Sequence, residues 1–520
     1  MAGTAFRQCG RNRVAAQAFI HHCPDGAPVQ LPLSIDASSA TTLQSQIVAQ
    51  LRALILDRRL APGAPVPATR DLGRQLRVSR NTVTAAYDEL ISEGYLYTER
   101  AVGTFVCKTL PDTLIGHAPA RPEHRSGSLY RAMNLPLPYG GRGLTGLHRP
   151  SPPRLIADFV FGRSDARNFP EKIWRKLIVE CLGGAAERMS EYIDPAGLPE
   201  LRQLITSRLG PTRGMVASVE QVLLVAGFQQ GIDLVAHLFV GTHTPVVMEA
   251  PSYRGAAFLF ESYGAHIIPV PVDAHGIDVS RLPESRVKLV YVTPSHQFPT
   301  GVTMPLHRRL ALLEWAAKAG AYIIEVDYDG DYRYDGAPLP SLQSLDRNGC
   351  VIYLNSFSRS IGPGLRIGYM VVPRDLMRTA VTIKSLMDNG LAWLEQAALA
   401  QFVRDGSFDT HLRRLLHANE ARRDALVSAL RSHLPGAHIG GADAGSHVLL
   451  TLPAEAPAAA AVQPAALALG VGVQPLADSP AWFFEHLDDA DRCLLLGYTH
   501  LTEAQIEQGI AGLGRALRTI

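Results

Sequence analysis

At 520 residues the chain is too long for one ordinary core, and two or three domains are expected. An apolar fraction of 47% and a charged fraction of 19% are those of a globular protein, and no run approaches the ~20 apolar residues of a membrane span. A formal net charge of +2 excludes a global basic field, so any nucleic-acid surface must be local.

The first 28 residues lack the apolar centre of a signal peptide, although Arg7, Arg11 and Arg13 make them basic. Residues 1–30 are expected to be a disordered extension of a cytoplasmic chain. The six cysteines (Cys9, Cys23, Cys107, Cys181, Cys350 and Cys493) lack metal or disulfide spacing and fit reduced thiols; no metal site is expected.

Leu43, Ile47, Leu51 and Leu54 recur at helical spacing over 41–58, and Pro62-Gly63 breaks the pattern. A second short helix buries Leu72 and Leu76. Ser79 is a good N-cap for a third, where Val83, Tyr87 and Leu90 form the apolar stripe. Glu93-Gly94 ends it, and Tyr95-Leu96-Tyr97 and Thr104-Phe105-Val106 alternate like two strands around Gly103. Three helices and a hairpin over 31–108 predict a winged helix-turn-helix domain.

Residues 109–155 lose all periodicity; eight prolines, many arginines and Tyr139-Gly140-Gly141-Arg142-Gly143 predict an extended linker. From 156 to 520, apolar runs alternate with amphipathic helices such as Leu306–Lys318. The runs are Val222–Val225, Val246–Met248, Leu289–Val292, Tyr322–Ile324 and Val351–Leu354. That alternation predicts an α/β body with a mostly parallel sheet covered on both faces, and the last 100 residues predict a smaller α/β subdomain.

The N-terminal motifs are Pro67-Ala68-Thr69-Arg70-Asp71-Leu72, Val78-Ser79-Arg80-Asn81-Thr82-Val83 and Glu93-Gly94-Tyr95-Leu96. They resemble the GntR family of bacterial regulators, and the resemblance implies that Arg70, Ser79, Arg80, Asn81 and Thr82 contact DNA. Physical chemistry agrees: a helix start directs N–H groups at phosphate, while Arg80 and Asn81 suit base edges in a major groove. The wing tip, Ala101-Val102-Gly103, carries a single glycine.

The body resembles fold-type I aminotransferases, which attach pyridoxal phosphate (PLP) to a lysine. Tyr192-x-Asp194-Pro195-x-Gly197 is similar to an early substrate-side motif. Gly227-Phe228-Gln229-Gln230, opening a helix after a strand, is similar to the phosphate-holding turn. Glu249-x-Pro251-x-Tyr253 is similar to the segment whose aromatic ring stacks on the cofactor. Pro294–Gly301 is similar to the segment near its 3-hydroxyl, with Phe298 where the usual asparagine aligns. Tyr328 matches the tyrosine that bonds that hydroxyl. Ser356-Phe357-Ser358-Arg359, with Arg366 as the phosphate-binding arginine, matches the attachment segment. A GntR head on such a body resembles the MocR-type subfamily, which implies a homodimeric regulator of a double-stranded DNA operator.

Two departures bear on chemistry. Arg359 stands where the resemblance requires the Schiff-base lysine, and a guanidinium stays protonated and cannot condense with an aldehyde. Val326 stands where an aspartate faces the pyridine nitrogen; Asp327 is next in line but belongs to the opposite strand face unless the register slips. The only lysines are Lys108, Lys172, Lys176, Lys288, Lys318 and Lys384; none lies on the attachment turn, and each is expected on a solvated face. The substrate-gripping arginine of the C-terminal subdomain has Arg492 as its one nearby candidate.

The expectation is therefore a regulator without catalytic residues. Its body holds no covalent cofactor and senses an anionic small molecule, PLP itself or another phosphate or carboxylate, without a bond. Two fates stay open for Arg359: an anion held between it and Arg366, or a retreat onto Asp327, Asp329 or a carbonyl that fills an empty cavity. Two other readings stay open for the body: a transaminase with a DNA-binding appendage, and a dimerisation module that senses nothing.

Overall fold

The computed structural model describes residues 31–36, 39, 41–99, 102–110, 155–284, 286–334, 340–482 and 489–520. The expected extension, nearly all of the expected linker and Ala101 of the wing tip lie outside them. The chain divides into two compact units, one within Met1–Leu135 and one within Pro136–Ile520.

The first unit holds α1 (Leu43–Leu56), α2 (Thr69–Leu76) and α3 (Arg80–Ser92), then β1 (Leu96–Glu99) and β2 (Gly103–Val106). Thr42 and Ser79 cap α1 and α3, each accepting the N–H of the residue three further on. Ile47, Leu51, Leu72, Val83, Tyr87 and Leu90 form its core, with Leu76 packed at the edge. The antiparallel hairpin pairs Leu96 with Val106 and Glu99 with Gly103. Gly73 sets the approach of α2 to the start of α3, because a Cβ there would meet the Val78 carbonyl at 3.2 Å.

The second unit contains α4 (Glu171–Leu182), α5 (Pro199–Arg213), β3 (Val222–Val225), α6 (Phe228–Phe239), β4 (Pro245–Ala250) and α7 (Arg254–Ser262). There follow β5 (His266–Asp273), β6 (Gly276–Ile277), β7 (Leu289–Val292), α8 (Leu306–Ala319), β8 (Tyr322–Val326), β9 (Val351–Ser356) and β10 (Gly368–Val371). These strands make one eight-stranded sheet in the order β3-β10-β9-β8-β7-β4-β5-β6. It is parallel except where β10 meets β9 and β3, and where β6 meets β5. Side chains alternate across it: Ile324 and Val326 join one core, while Ile323 joins the other with Leu312 and Ala316 of α8.

The chain continues through α9 (Arg374–Asp388), α10 (Trp393–Arg404) and α11 (Ser407–His433). The C-terminal part adds β11 (His438–Gly440), β12 (His447–Thr451), β13 (Gln474–Pro475), β14 (Cys493–Gly497) and α12 (Glu503–Thr519). Its strands form an antiparallel sheet, β11-β12-β14-β13, with α11 and α12 packed against it around Leu430, Val448, Leu496 and Ile510.

One expectation is corrected. Lys384 is fully buried rather than solvated, and its ammonium bonds Asp388 at 2.7 and 2.9 Å. The face of α9 that carries it packs on α6, so the charge is retained only because Asp388 neutralises it within the same helix. The other five lysines are exposed.

Candidate DNA surface and ligand cavity

In the first unit, Arg70 lies in the opening turn of α2, and Arg80 and Asn81 open α3; all three are exposed. Ser79 Oγ accepts the Thr82 N–H at 3.1 Å, and the two hydroxyls lie 2.8 Å apart. Those hydroxyls are thus engaged in building the helix start, while Arg80 and Asn81 extend from it. Tyr87 Oη donates to the Pro67 carbonyl at 2.8 Å and ties α3 to the approach of α2. An α-helix that presents Arg and Asn in its first turn can read guanine and adenine edges, with its N–H groups left for phosphate.

The second unit encloses a cavity of about 340 Å³ at the C-terminal edge of the parallel strands. The sequence-identified residues Phe228, Gln229, Tyr253, Tyr328, Arg359 and Arg366 all line it, as does Val326. Gly227 caps α6 with φ of 81° and is pressed on Arg366, whose Nη2 a Cβ would approach to 2.7 Å. Arg366 in turn donates to the Ala226 carbonyl at 2.6 Å, which fixes a guanidinium beside the N-terminus of α6. A helix start and an arginine on one wall make an anion cradle.

Opposite charges are sparse around it. The Arg359 guanidinium lies 4.5 Å from the Phe161 ring centre, and its Nε is 3.7 Å from Asp329 Oδ1. Asp329 therefore balances Arg359 through space, while the cavity stays open; Arg359 does not fill it. Asp327 is not its partner, because Asp327 Oδ2 takes Arg213 Nε and Tyr353 Oη, each at 2.5 Å. Burial pushes the Tyr253 phenol up, with Arg359 and Arg366 both pulling the other way. Burial also holds Tyr328 well above the ordinary tyrosine range, and its Oη has no partner. Behind the cavity's Thr293, Glu249 Oε2 accepts both the Thr293 N–H and hydroxyl, and burial raises this carboxyl to about 7.

Some expected residues do not join this cavity. Ser356 is still within β9, paired with Gly368, and lines a separate small cavity with Arg213 and Asp331; the chain turns only after it, so Ser358 reaches the ligand cavity instead. Tyr192 is exposed at 87%, and Asp194 of the same motif pairs with Arg202. Arg492 pairs with Asp489 and donates to the Leu452 carbonyl rather than facing the cavity. None of the six lysines lines it. Sequence reasoning missed Phe161, Tyr291 and Thr293, which come from segments with no chemical signature of their own.

The family model for Aminotransferase class I and II matches residues 163–483, and that for Bacterial regulatory proteins, gntR family, matches residues 43–106. The chain is 34% identical over 405 residues to the probable rhizopine catabolism regulatory protein MocR of Rhizobium meliloti, covering 77% of this chain and 80% of that protein. It is 30% identical to the pyridoxine biosynthesis transcriptional regulator PdxR of Corynebacterium glutamicum, over 81% and 85% of the two chains. Among solved structures, the multiple substrate aminotransferase of Thermococcus profundus superposes with a TM-score of 0.64 at 30% identity, covering 71% of this chain and 92% of that one. With both domain signatures in this order and relatives matched over most of their length, the chain belongs to the MocR-type, GntR-family helix-turn-helix transcriptional regulators with an aminotransferase-like domain.

Proposed function

We propose that the aminotransferase-like body is a sensor rather than an enzyme, which binds PLP or a related phosphate or carboxylate without a covalent bond and passes its occupancy to operator binding. The observation that carries this reading is Arg359, a permanently charged side chain on the cavity wall, in a cavity lined by no lysine. Val326 supports it from the floor: a pyridine ring there finds an apolar contact and no carboxylate to hold a proton on its nitrogen. The residues fit the remaining parts of PLP. Gly227, the start of α6 and Arg366 suit its phosphate, Tyr253 and Phe298 suit its ring, and the unpartnered Tyr328 Oη suits its hydroxyl. When bound, PLP would supply an aldehyde that condenses with amines, and Arg359 would offer it charge and no amine.

A homodimer belongs to the same reading. α4 buries only Leu177 and leaves Ile173, Val179 and Leu182 exposed, and Leu386 on α9 is exposed as well. Such apolar surface suits a second copy, and two heads would then engage two half-sites of a double-stranded operator. No described helix is long and apolar enough to cross a membrane.

Borohydride treatment with PLP followed by mass spectrometry, beside thermal-shift and operator-binding measurements, tests the proposal. Expected are a reversible rise in stability with PLP or a carboxylate analogue, altered operator affinity and no reduced adduct. An adduct on a lysine whose absorbance responds to amino acids would establish the transaminase reading. No shift with any phosphorylated vitamer or carboxylate would leave the body as a dimerisation module.

A further inference from the structure

Behind the aromatic wall of the cavity, His296, Asp329 and His447 converge, with one ligand atom from each lying within 4.8 Å of the others. They come from three separate places: the loop after β7, the loop after β8 and the first residue of β12. His296 is 2% exposed, and Asp329 and His447 are buried just as deeply. We propose that these three side chains form a binding site for a divalent first-row transition ion, with Zn²⁺ as the reference occupant.

Hydrogen bonding argues for this. Both ring nitrogens of His296 are buried with no protein partner, as is Nδ1 of His447. A buried polar atom left unpaired costs about 1–3 kcal/mol, and a single ion would satisfy two of the three, Nδ1 of His447 and one nitrogen of His296. The tautomer of His447 is set from outside: its Nε2 lies 3.1 Å from the Pro299 carbonyl, which can only accept, so Nε2 carries the proton and Nδ1 presents its lone pair. Nδ1 is 3.9 Å from Asp329 Oδ2, too long for a hydrogen bond, and a tetrahedral ion between them would draw the two about 0.5 Å closer. Asp329 is oriented in the same manner, accepting the Ser446 N–H at 2.9 Å and its hydroxyl at 2.8 Å on Oδ2. Outer partners that fix ligand orientation are what metal-binding histidines and carboxylates require.

Two neutral imidazoles and one carboxylate select zinc or a neighbouring transition ion over magnesium or calcium, which prefer all-oxygen shells. Arg359 is the competing cation, at 3.7 Å from the other carboxylate oxygen. Its position over Phe161 gives it another contact to keep when an ion takes the charge of Asp329.

The full-length chain, stripped with chelator and dialysed against metal-free buffer, should take up one Zn²⁺ per chain, read by elemental mass spectrometry. Co²⁺ should give the visible absorption of a nitrogen- and oxygen-ligated ion. His447→Gln and Asp329→Asn should abolish stoichiometric uptake while circular dichroism stays unchanged. Ser446→Ala should weaken affinity about ten- to a hundredfold, and Arg359→Ala should tighten it. The proposal fails if the wild type takes up no ion. It also fails if uptake survives in His447→Gln, because the ion then sits elsewhere on the 18 histidines and six cysteines. If His447→Gln fails to fold, the Ser446→Ala and Arg359→Ala comparisons decide: affinity unchanged in both would also overturn it.

Discussion

Arg213 holds Asp327 on the side of the sheet away from the ligand cavity: Arg213 Nε and Asp327 Oδ2 are 2.5 Å apart, and Arg213 Nη2 reaches Asp331 at 2.7 Å. Its neighbour Val326 faces the cavity. The pair thus fixes which of two consecutive residues meets a ligand, and both of its members are buried. Breaking a buried pair from one side leaves the other charge uncompensated. Arg213→Ala is expected to destabilise the body by about 3–5 kcal/mol, measured by urea unfolding. A loss below about 1 kcal/mol would mean that Tyr353 and Asn355 alone satisfy Asp327.

Because position 326 faces the cavity and 327 does not, restoring amine chemistry should need two changes. Arg359→Lys alone is expected to give at most a feeble borohydride-reducible adduct with PLP. The double variant Arg359→Lys with Val326→Asp should give a stable one with near-visible absorbance. A robust adduct in the single variant would show that Val326 is not limiting.

At the candidate DNA surface, Arg80 is exposed in the first turn of α3 and makes no ion pair among the described residues. Arg80→Ala should weaken operator binding by about 1–3 kcal/mol and blur sequence preference, as read by anisotropy at fixed salt. Unchanged affinity would mean that another segment enters the groove.

Glu249 gives a pH signature. Its carboxyl is raised to about 7 by burial, so between about pH 4.3 and 7 the folded state holds a proton that the unfolded state has released. Its contribution is therefore full at low pH and falls as pH rises through that window, by about 3–4 kcal/mol. Glu249→Gln should flatten this part of the decline, leaving the part due to Glu325, which is also raised to about 7 by burial. Denaturation midpoints at pH 5 and pH 8 give the comparison; an unaltered slope would show that Glu249 is already ionised in the fold.

Much of the architecture was legible because it is local. Helical spacing of Val83, Tyr87 and Leu90 and the Ser79 cap define α3, and β-branched runs define β3, β7, β8 and β9. β5 was not among the runs; Pro269 and Pro271 interrupt its pattern and are tolerated near the sheet edge, where only the two-residue β6 pairs beyond. The site divides in the same way. Gly227, Arg359 and Arg366 belong to contiguous motifs, whereas Phe161, the burial of Lys384 and the meeting of His296 with His447 depend on chain segments brought together only by the tertiary fold.

Phe161 stands three residues beyond the short pairing of Ala157-Asp158 with Val471-Gly472, near the point where the described body begins. Since the Arg359 guanidinium rests on its ring, the anchorage of the incoming polypeptide is itself part of the chamber wall.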